Sequence, residues 1–312
     1  MFSNVVVGID DDEGGRDAIA LAKLLAAGDA NLTLAQVYQG DSAVSRRSSP
    51  DYEAKQHDRI RELLENRRAE AGVQAHLRWY GSPSVGRGLH ELAELTGADL
   101  LVVGSSRRGL LGRVLIGDDT RAALNGAPCA VAIAPAGYRR EPALMREVGV
   151  GYDGSPESKR ALELARMVAA EHHTRLSAFQ AISTPAYPYL GYLEAAAPVE
   201  LASIHHEVDE ARERIAALGD VEPHAAYGDP VEELTVYSAS VDLLVVGSRG
   251  YGPFGRVVYG GVAQRLARTA RCPLLVLTRS ARTVLHELGQ ATVDQREQIG
   301  GDLLDRAVGT ND

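Results

Sequence analysis

The chain carries one pattern twice. Residues 100–120 read LLVVGSSRRGLLGRVLIGDDT, and residues 243–263 read LLVVGSRGYGPFGRVVYGGVA. Gly104, Gly109, Gly112-Arg113-Val114 and Gly117 fall on Gly247, Gly252, Gly255-Arg256-Val257 and Gly260 at an offset of 143 residues. The same offset relates Asp10 to Asp153 and Cys129 to Cys272. Gly81-Ser82-Pro83 and Gly228-Asp229-Pro230 match at 147, so the second copy carries four extra residues ahead of that point and four fewer after it. Such a period is far too long for a solenoid, whose repeats are roughly 20–50 residues, and is the length of a whole domain. The 312 residues therefore predict two copies of one domain, 1–136 and 147–278. A polar connection, 137–146, joins them, and a polar, glycine-bearing extension follows at 279–312.

Each repeated stretch reads as strand, glycine-rich loop, helix. Leu243-Leu244-Val245-Val246 is a short branched apolar run stopped by Gly247, the mark of a buried strand. Glycines let several backbone N–H groups point at one spot, and the helix N-terminus behind them adds unpaired donors and partial positive charge. Together these make a phosphate cradle. Arg249 and Arg256 place two cations in the second loop, and Gly261 and Val262 open its helix. The plainer alternative is a flexible connection; the duplication favours the cradle.

The remaining elements repeat too. Strands are predicted at 4–9, 32–38, 73–80, from Asp99, and at 129–134, with helices at 14–27, 52–71 and 85–96. The second copy gives strands at 148–152, 176–182, 221–227, from Asp242, and at 272–278. Its helices start behind Ser155-Pro156, a good N-cap and first-turn pair, and cover 199–218 and 231–239. Residues 41–51 and 184–198 read as loops. Apolar strands alternating with helices predict an α/β fold in which each copy is a doubly wound parallel sheet with helices on both faces. Ligands of such sheets sit beyond the C-terminal strand ends, where Asp10, Asp153 and the glycine loops fall.

Composition narrows the function. Net charge is −9 and aromatics are 5% of residues, so neither a basic patch nor a base-stacking platform for nucleic acid is visible. No apolar run reaches the roughly 18 residues of a membrane span, and the N-terminus lacks a basic leader, so a cytoplasmic protein is expected. Cys129 and Cys272 occupy equivalent apolar positions and read as packed, unpaired thiols.

An Asp-terminated first strand, a Gly-x-Pro after the third, and Gly-2x-Gly-9x-Gly-(Ser/Thr) after the fourth resemble the universal stress protein family, in both copies. The resemblance implies five-stranded sheets of order 3-2-1-4-5 that associate through their fifth strands. It also implies ATP, with magnesium as an accompanying candidate, at the strand ends. Carried over, Asp153 sits by the ribose and adenine, the Ala181 backbone is near the base, and Gly247, Gly250 and Gly260 form the phosphate loop. The first-copy counterparts are Asp10, Val37, Gly104 and Gly117. In the second copy the closing Ser/Thr is Gly261; in the first, the middle glycine is Arg107 and the closing hydroxyl is Asp118. A carboxylate about 4 Å from a phosphate costs about 1 kcal/mol in water and about 4 at an effective dielectric near 20. The second copy is therefore expected to bind more readily.

Other chemistries are weaker. The pairs His172-His173 and His205-His206 are adjacent in sequence and do not converge on one metal on a helix. Asp10-Asp11-Asp12 reads as a polar turn with acids at a helix N-terminus, the alternative being a magnesium ion bridging to phosphates. No Gly-x-x-x-x-Gly-Lys-(Ser/Thr) loop, Gly-x-Ser-x-Gly elbow or nucleophile with its base is present. The expectation is an ATP-binding regulatory protein of the stress response that acts through its bound state. Its alternatives are a scaffold with degenerate sites, a binder of AMP or cyclic AMP, and a slow ATPase. The partners expected are an adenine nucleotide and the other copy within the chain, with further homodimerisation left open.

Overall fold

Val5, Val6 and Val7 make the middle of the first strand, and all three are buried because both faces of that strand are covered. A computed structural model describes residues 1–39, 50–105, 118–140, 144–183, 197–248, 261–278 and residue 281. The first half runs β1 (Phe2–Gly8), α1 (Gly14–Leu25), β2 (Ala26–Gln39), α2 (Pro50–Ala71), β3 (His76–Ser82), α3 (Val85–Thr96), β4 (Leu100–Gly104), α4 (Asp118–Leu124) and β5 (Ala130–Ala134). The second runs β6 (Glu147–Gly151), α5 (Pro156–Glu171), β7 (Arg175–Ile182), α6 (Ala197–Ala216), β8 (Glu222–Tyr227), α7 (Pro230–Tyr237), β9 (Leu243–Gly247), α8 (Val262–Thr269) and β10 (Leu274–Leu277).

The strands form one ten-stranded sheet, β3-β2-β1-β4-β5-β10-β9-β6-β7-β8. Each half is parallel in the order 3-2-1-4-5, as the resemblance implies. The halves meet where β5 runs antiparallel to β10, with Val131 opposite Val276, Ala132 opposite Leu275 and Ile133 opposite Leu274. Thr278 Oγ1 donates to the Cys129 carbonyl at 2.8 Å across this seam. Two open apolar edges, each a template for aggregation, thus cover one another.

One face of the sheet packs against α1, α2, α5 and α6 through Leu21, Leu64, Leu164 and Ile215. The other packs against α3, α4, α7 and α8 through Leu89, Ala123, Leu234 and Leu266. Both cores run across the seam. Because each half is parallel and the seam antiparallel, the C-terminal strand ends of the two halves lie at opposite edges of the sheet. Cys129 and Cys272 are buried and unpaired, and burial pushes both thiols up to about 12.

Local chemistry sets the helix starts. Ser155 Oγ accepts from the Ser158 amide with Pro156 in the first turn, and Asp229 Oδ1 accepts from the Val231 and Glu232 amides at 2.9 and 3.1 Å. Gly97 closes α3 at φ 60°, a left-handed conformation that favours glycine.

Some element bounds differ from expectation. β2 begins at Ala26 rather than at residue 32, because Ala26 is already extended and pairs with Phe2; the register then shifts before Asn4 meets Asn31. The third strands start at His76 and Glu222, three residues and one residue late, and the two cysteines precede β5 and β10 rather than opening them. His172 ends α5, and its ring meets the Leu24 carbonyl at 3.0 Å, tying the second half to the first. The connection between the halves is docked at its start. Asp17 of α1, 2% exposed, accepts from the Gly137 and Arg139 amides at 2.7 and 3.0 Å.

Candidate functional site

The two candidate sites begin where the central strands stop. The Ile9 amide donates to the Ala35 carbonyl at 2.8 Å, the last link of the first central strand to β2. The Tyr152 amide donates to the Phe179 carbonyl at 2.9 Å in the second half. Asp10 and Asp153 are the next residues, so each carboxylate emerges at a C-terminal strand end. Val37 and Ala181 each stand two residues past these last contacts, so the backbone runs on there beyond the end of the neighbouring strand. Their side chains point to the α3 and α7 faces: a Cβ on Gly88 would lie 2.6 Å from Val37 Cγ1, and Ala181 packs on the α7-side core.

Around Asp10, the chain turns tightly into α1. Asp10 Oδ1 accepts from the Gly15 amide at 3.2 Å. Its side chain reaches solvent, yet the protein around it raises the carboxyl above the ordinary aspartate value; the Gly15 amide opposes this and Asp12 adds to it. A Cβ on Gly14 would stand 3.7 Å from Asp10 Oδ2, 3.7 Å from the Gly104 Cα and 3.3 Å from the Ser105 carbonyl oxygen. The structure thus brings Asp10 and the first glycine of the loop motif together. A Cβ on Gly104 would lie 2.1 Å from the Gly14 carbonyl oxygen, so this glycine lets helix α1 reach the end of β4.

The second half repeats the arrangement with different residues. Asp153 Oδ1 accepts from the Ser155 amide at 3.0 Å, and Ser158 Oγ accepts from the Asp153 amide at 3.3 Å. A Cβ on Gly247 would lie 2.6 Å from the Glu157 carbonyl oxygen. Gly261 caps α8, and no atom of the described residues lies within 4 Å of a Cβ placed on it. Its carbonyl accepts from Gln264 and Arg265, and among the described residues no acceptor takes the Val262 and Ala263 amides that start the helix. Gly117, Arg249, Gly250 and Gly260 lie outside the described residues, as do Arg107, Arg108 and Arg256.

Two contributors escaped the sequence reading. Arg67 of α2, 6% exposed, donates from Nη2 to the carbonyls of Asp11 and Asp12, each at 3.3 Å, and holds the acidic turn in place. Its signal was a charge on the buried stripe of Ile60 and Leu64. Ser105 follows the motif glycine directly; its Oγ is buried with no partner among the described residues.

Comparison with known proteins shows the family and the fold. The model of the universal stress protein family matches residues 1–135 and again 145–278. A universal stress protein of Mycobacterium bovis is 30% identical over 194 residues, covering 59% of this chain and 63% of the relative, so the chain spans less than two thirds of that relative's length. The crystal structure of a universal stress protein from Archaeoglobus fulgidus has a TM-score of 0.63 at 19% identity, covering 88% of this chain and 98% of that one, and shares the fold. A universal stress protein solved in complex with cAMP is 30% identical, covering 43% of this chain and 97% of that one, with a TM-score of 0.32.

Proposed function

The chain belongs to the universal stress protein family, in tandem form, and from that premise we propose that it is a regulatory protein that binds an adenine nucleotide, ATP first, at its strand ends. One observation carries the reading. In each half a carboxylate (Asp10 or Asp153), a motif glycine (Gly104 or Gly247) and a stretch of strand beyond its neighbour's end (Val37 or Ala181) gather at one edge of the sheet. The carboxylate is suited to ribose hydroxyls, and the extended backbone offers amide and carbonyl groups to a base edge. The glycine-rich loop and the helix behind it supply donors for phosphates. Magnesium would be held by the phosphates with Asp10 or Asp153 nearby, and its part would be to neutralise phosphate charge.

The second half is the stronger binder in this reading. It keeps Gly247, Gly250 and Gly260 of the motif, and among the described residues nothing crowds Gly261 ahead of the Val262 and Ala263 amides. The first half has Arg107 and Asp118 in the matching places. The protein acts through its bound state, in the cytoplasm, with the two halves serving as each other's dimer partner.

Isothermal titration with ATP, AMP and cyclic AMP, each with and without magnesium, tests this directly. ATP binding that Gly250→Glu abolishes in the second half supports the assignment. No heat with any of the three leaves an interaction scaffold, and phosphate release on long incubation marks a slow ATPase.

A further inference from the structure

Away from both strand-end sites, the second half presents a cluster of metal-ligating side chains. Glu147 opens β6, and Glu222 and His224 lie on β8; one ligand atom from each falls within 4.8 Å of the other two. His224 Nε2 is 3.7 Å from Glu222 Oε1. The carboxylate of Glu147 reaches across β7 because the residue beneath it, Ser177, is small and wholly buried. Ser177 Oγ donates to Glu147 Oε1 at 2.7 Å and lies 2.6 Å from the Tyr237 hydroxyl. The other oxygen, Oε2, faces Arg175 Nη2 at 2.8 Å. The cluster sits at the N-terminal strand ends, the edge opposite Asp153.

We propose that Glu147, Glu222 and His224 form a binding site for a divalent transition metal of the zinc class. The donor set is one imidazole nitrogen and two carboxylates, which with a water completes the four-coordinate arrangement zinc favours. Bonds of about 2.0–2.2 Å put such donors about 3.3–3.6 Å apart, so the Glu222–His224 pair at 3.7 Å is already close to that spacing and the widest separation, within 4.8 Å, closes by about 1 Å on binding. Glu222 and His224 can make that move because their side chains are half exposed, while Glu147 stays fixed. Ser177 and Tyr237 supply the second layer of hydrogen bonds that orients a ligating carboxylate. Arg175 is the cation now paired with Glu147. Its side chain is 71% exposed and free to swing out, so a metal would take its place on Oε2.

The first half supplies an internal comparison. The strand registers place Asn4 where the second half has Glu147, Asn31 for Arg175, Thr33 for Ser177, His76 for Glu222 and Arg78 for His224. Asn31 Nδ2 donates to Asn4 Oδ1 at 3.1 Å, a neutral pair in place of the charged one. With both carboxylates gone and an arginine for the histidine, the first half lacks the donor set.

Cobalt(II) titration of the whole chain, followed by its visible d–d absorption and by competition with zinc, tests the site without any nucleotide. One saturable equivalent is expected. His224→Ala, at a partly exposed position the fold tolerates, should lower the affinity by more than about tenfold, and Arg175→Ala should raise it. The double variant His205→Ala/His206→Ala should leave it unchanged. Absence of a saturable equivalent, full binding by His224→Ala, or loss of the signal in the His205/His206 variant would each overturn the proposal.

Discussion

The Tyr237 hydroxyl lies 2.8 Å from the point where a Cβ on Gly149 would stand. Gly149 is therefore the residue that admits Tyr237 to the floor of the second half, where its ring stacks on Phe179 with centroids 4.9 Å apart. The first half has Val6 at the matching strand position and no tyrosine to seat. Gly149→Ala forces the new methyl against Tyr237 and against Val241 Cγ1, 2.9 Å away. Overpacking of this kind costs about 1–3 kcal/mol, to be read as a lower urea midpoint at unchanged slope. Tyr237→Phe, which removes only the hydroxyl, should cost about 1 kcal/mol.

The motif glycines divide into two kinds, and substitution separates them. Gly104→Ala sets a methyl 2.1 Å from the Gly14 carbonyl oxygen, and Gly247→Ala sets one 2.6 Å from that of Glu157. Both contacts are to backbone at a helix start, which cannot yield without moving the helix. Each variant should lose about 3 kcal/mol or more of stability. Gly261 has φ −58° and no atom of the described residues within 4 Å of an added Cβ, so Gly261→Ala should melt within about a degree or two of the parent, on the order of the usual surface effect. A fall in ATP affinity without loss of stability in Gly261→Ala would then mark a residue that approaches the ligand.

Asp10 gives the unliganded protein a predictable pH dependence. Although its side chain reaches solvent, partial desolvation by the surrounding protein raises its carboxyl above the ordinary value of 3.8, with the Gly15 amide opposing the shift and Asp12 adding to it. A carboxyl raised on folding contributes stability that is full below 3.8 and is lost as pH rises through the folded value. Asp10→Asn removes that loss. Relative to the parent, the variant should gain stability as pH rises from below 3.8 to neutrality, in urea titrations at a series of pH values. A variant that instead loses stability relative to the parent as pH rises would contradict the assignment of the shift.

Much of this architecture was legible because it rests on local chemistry. Val5 to Val7 and Leu243 to Val246 are apolar runs too short for helices, and Ser155-Pro156 announces a helix start from two residues. Repetition supplied the domain count, and apolar fifth strands called for a partner. What stayed hidden depends on distance in sequence. Arg67 reaches the Asp11 and Asp12 carbonyls from more than fifty residues away, and nothing in the local pattern around it names that target. The close packing of Gly104 on Gly14 likewise belongs to a meeting of strand and helix. Gly104, read as part of a phosphate loop, also makes space for the Gly14 backbone. The same holds for Glu147, Glu222 and His224, which are scattered in sequence and converge only through the order of β6, β7 and β8.

The antiparallel seam makes a last prediction about how the two halves cooperate. Asp10 and Asp153 sit at the C-terminal strand ends of their own halves, and the pairing of Val131 with Val276 turns those ends to opposite edges of one sheet. Ligands at the two carboxylates would therefore share no contact, and sites that share no contact lose binding energy additively within about 0.3–0.5 kcal/mol. In ATP titrations Asp153→Ala should remove the stronger component and Asp10→Ala the weaker. The double variant should remove both, with each single variant leaving the other affinity unchanged. A larger coupling energy would mean that filling one edge alters the other. Among the described residues a continuous path for it runs through the strands at the seam and the two cores that cross it. Ala132→Gly, which loosens the seam without blocking a hydrogen bond, should then reduce the coupling while leaving each separate affinity in place.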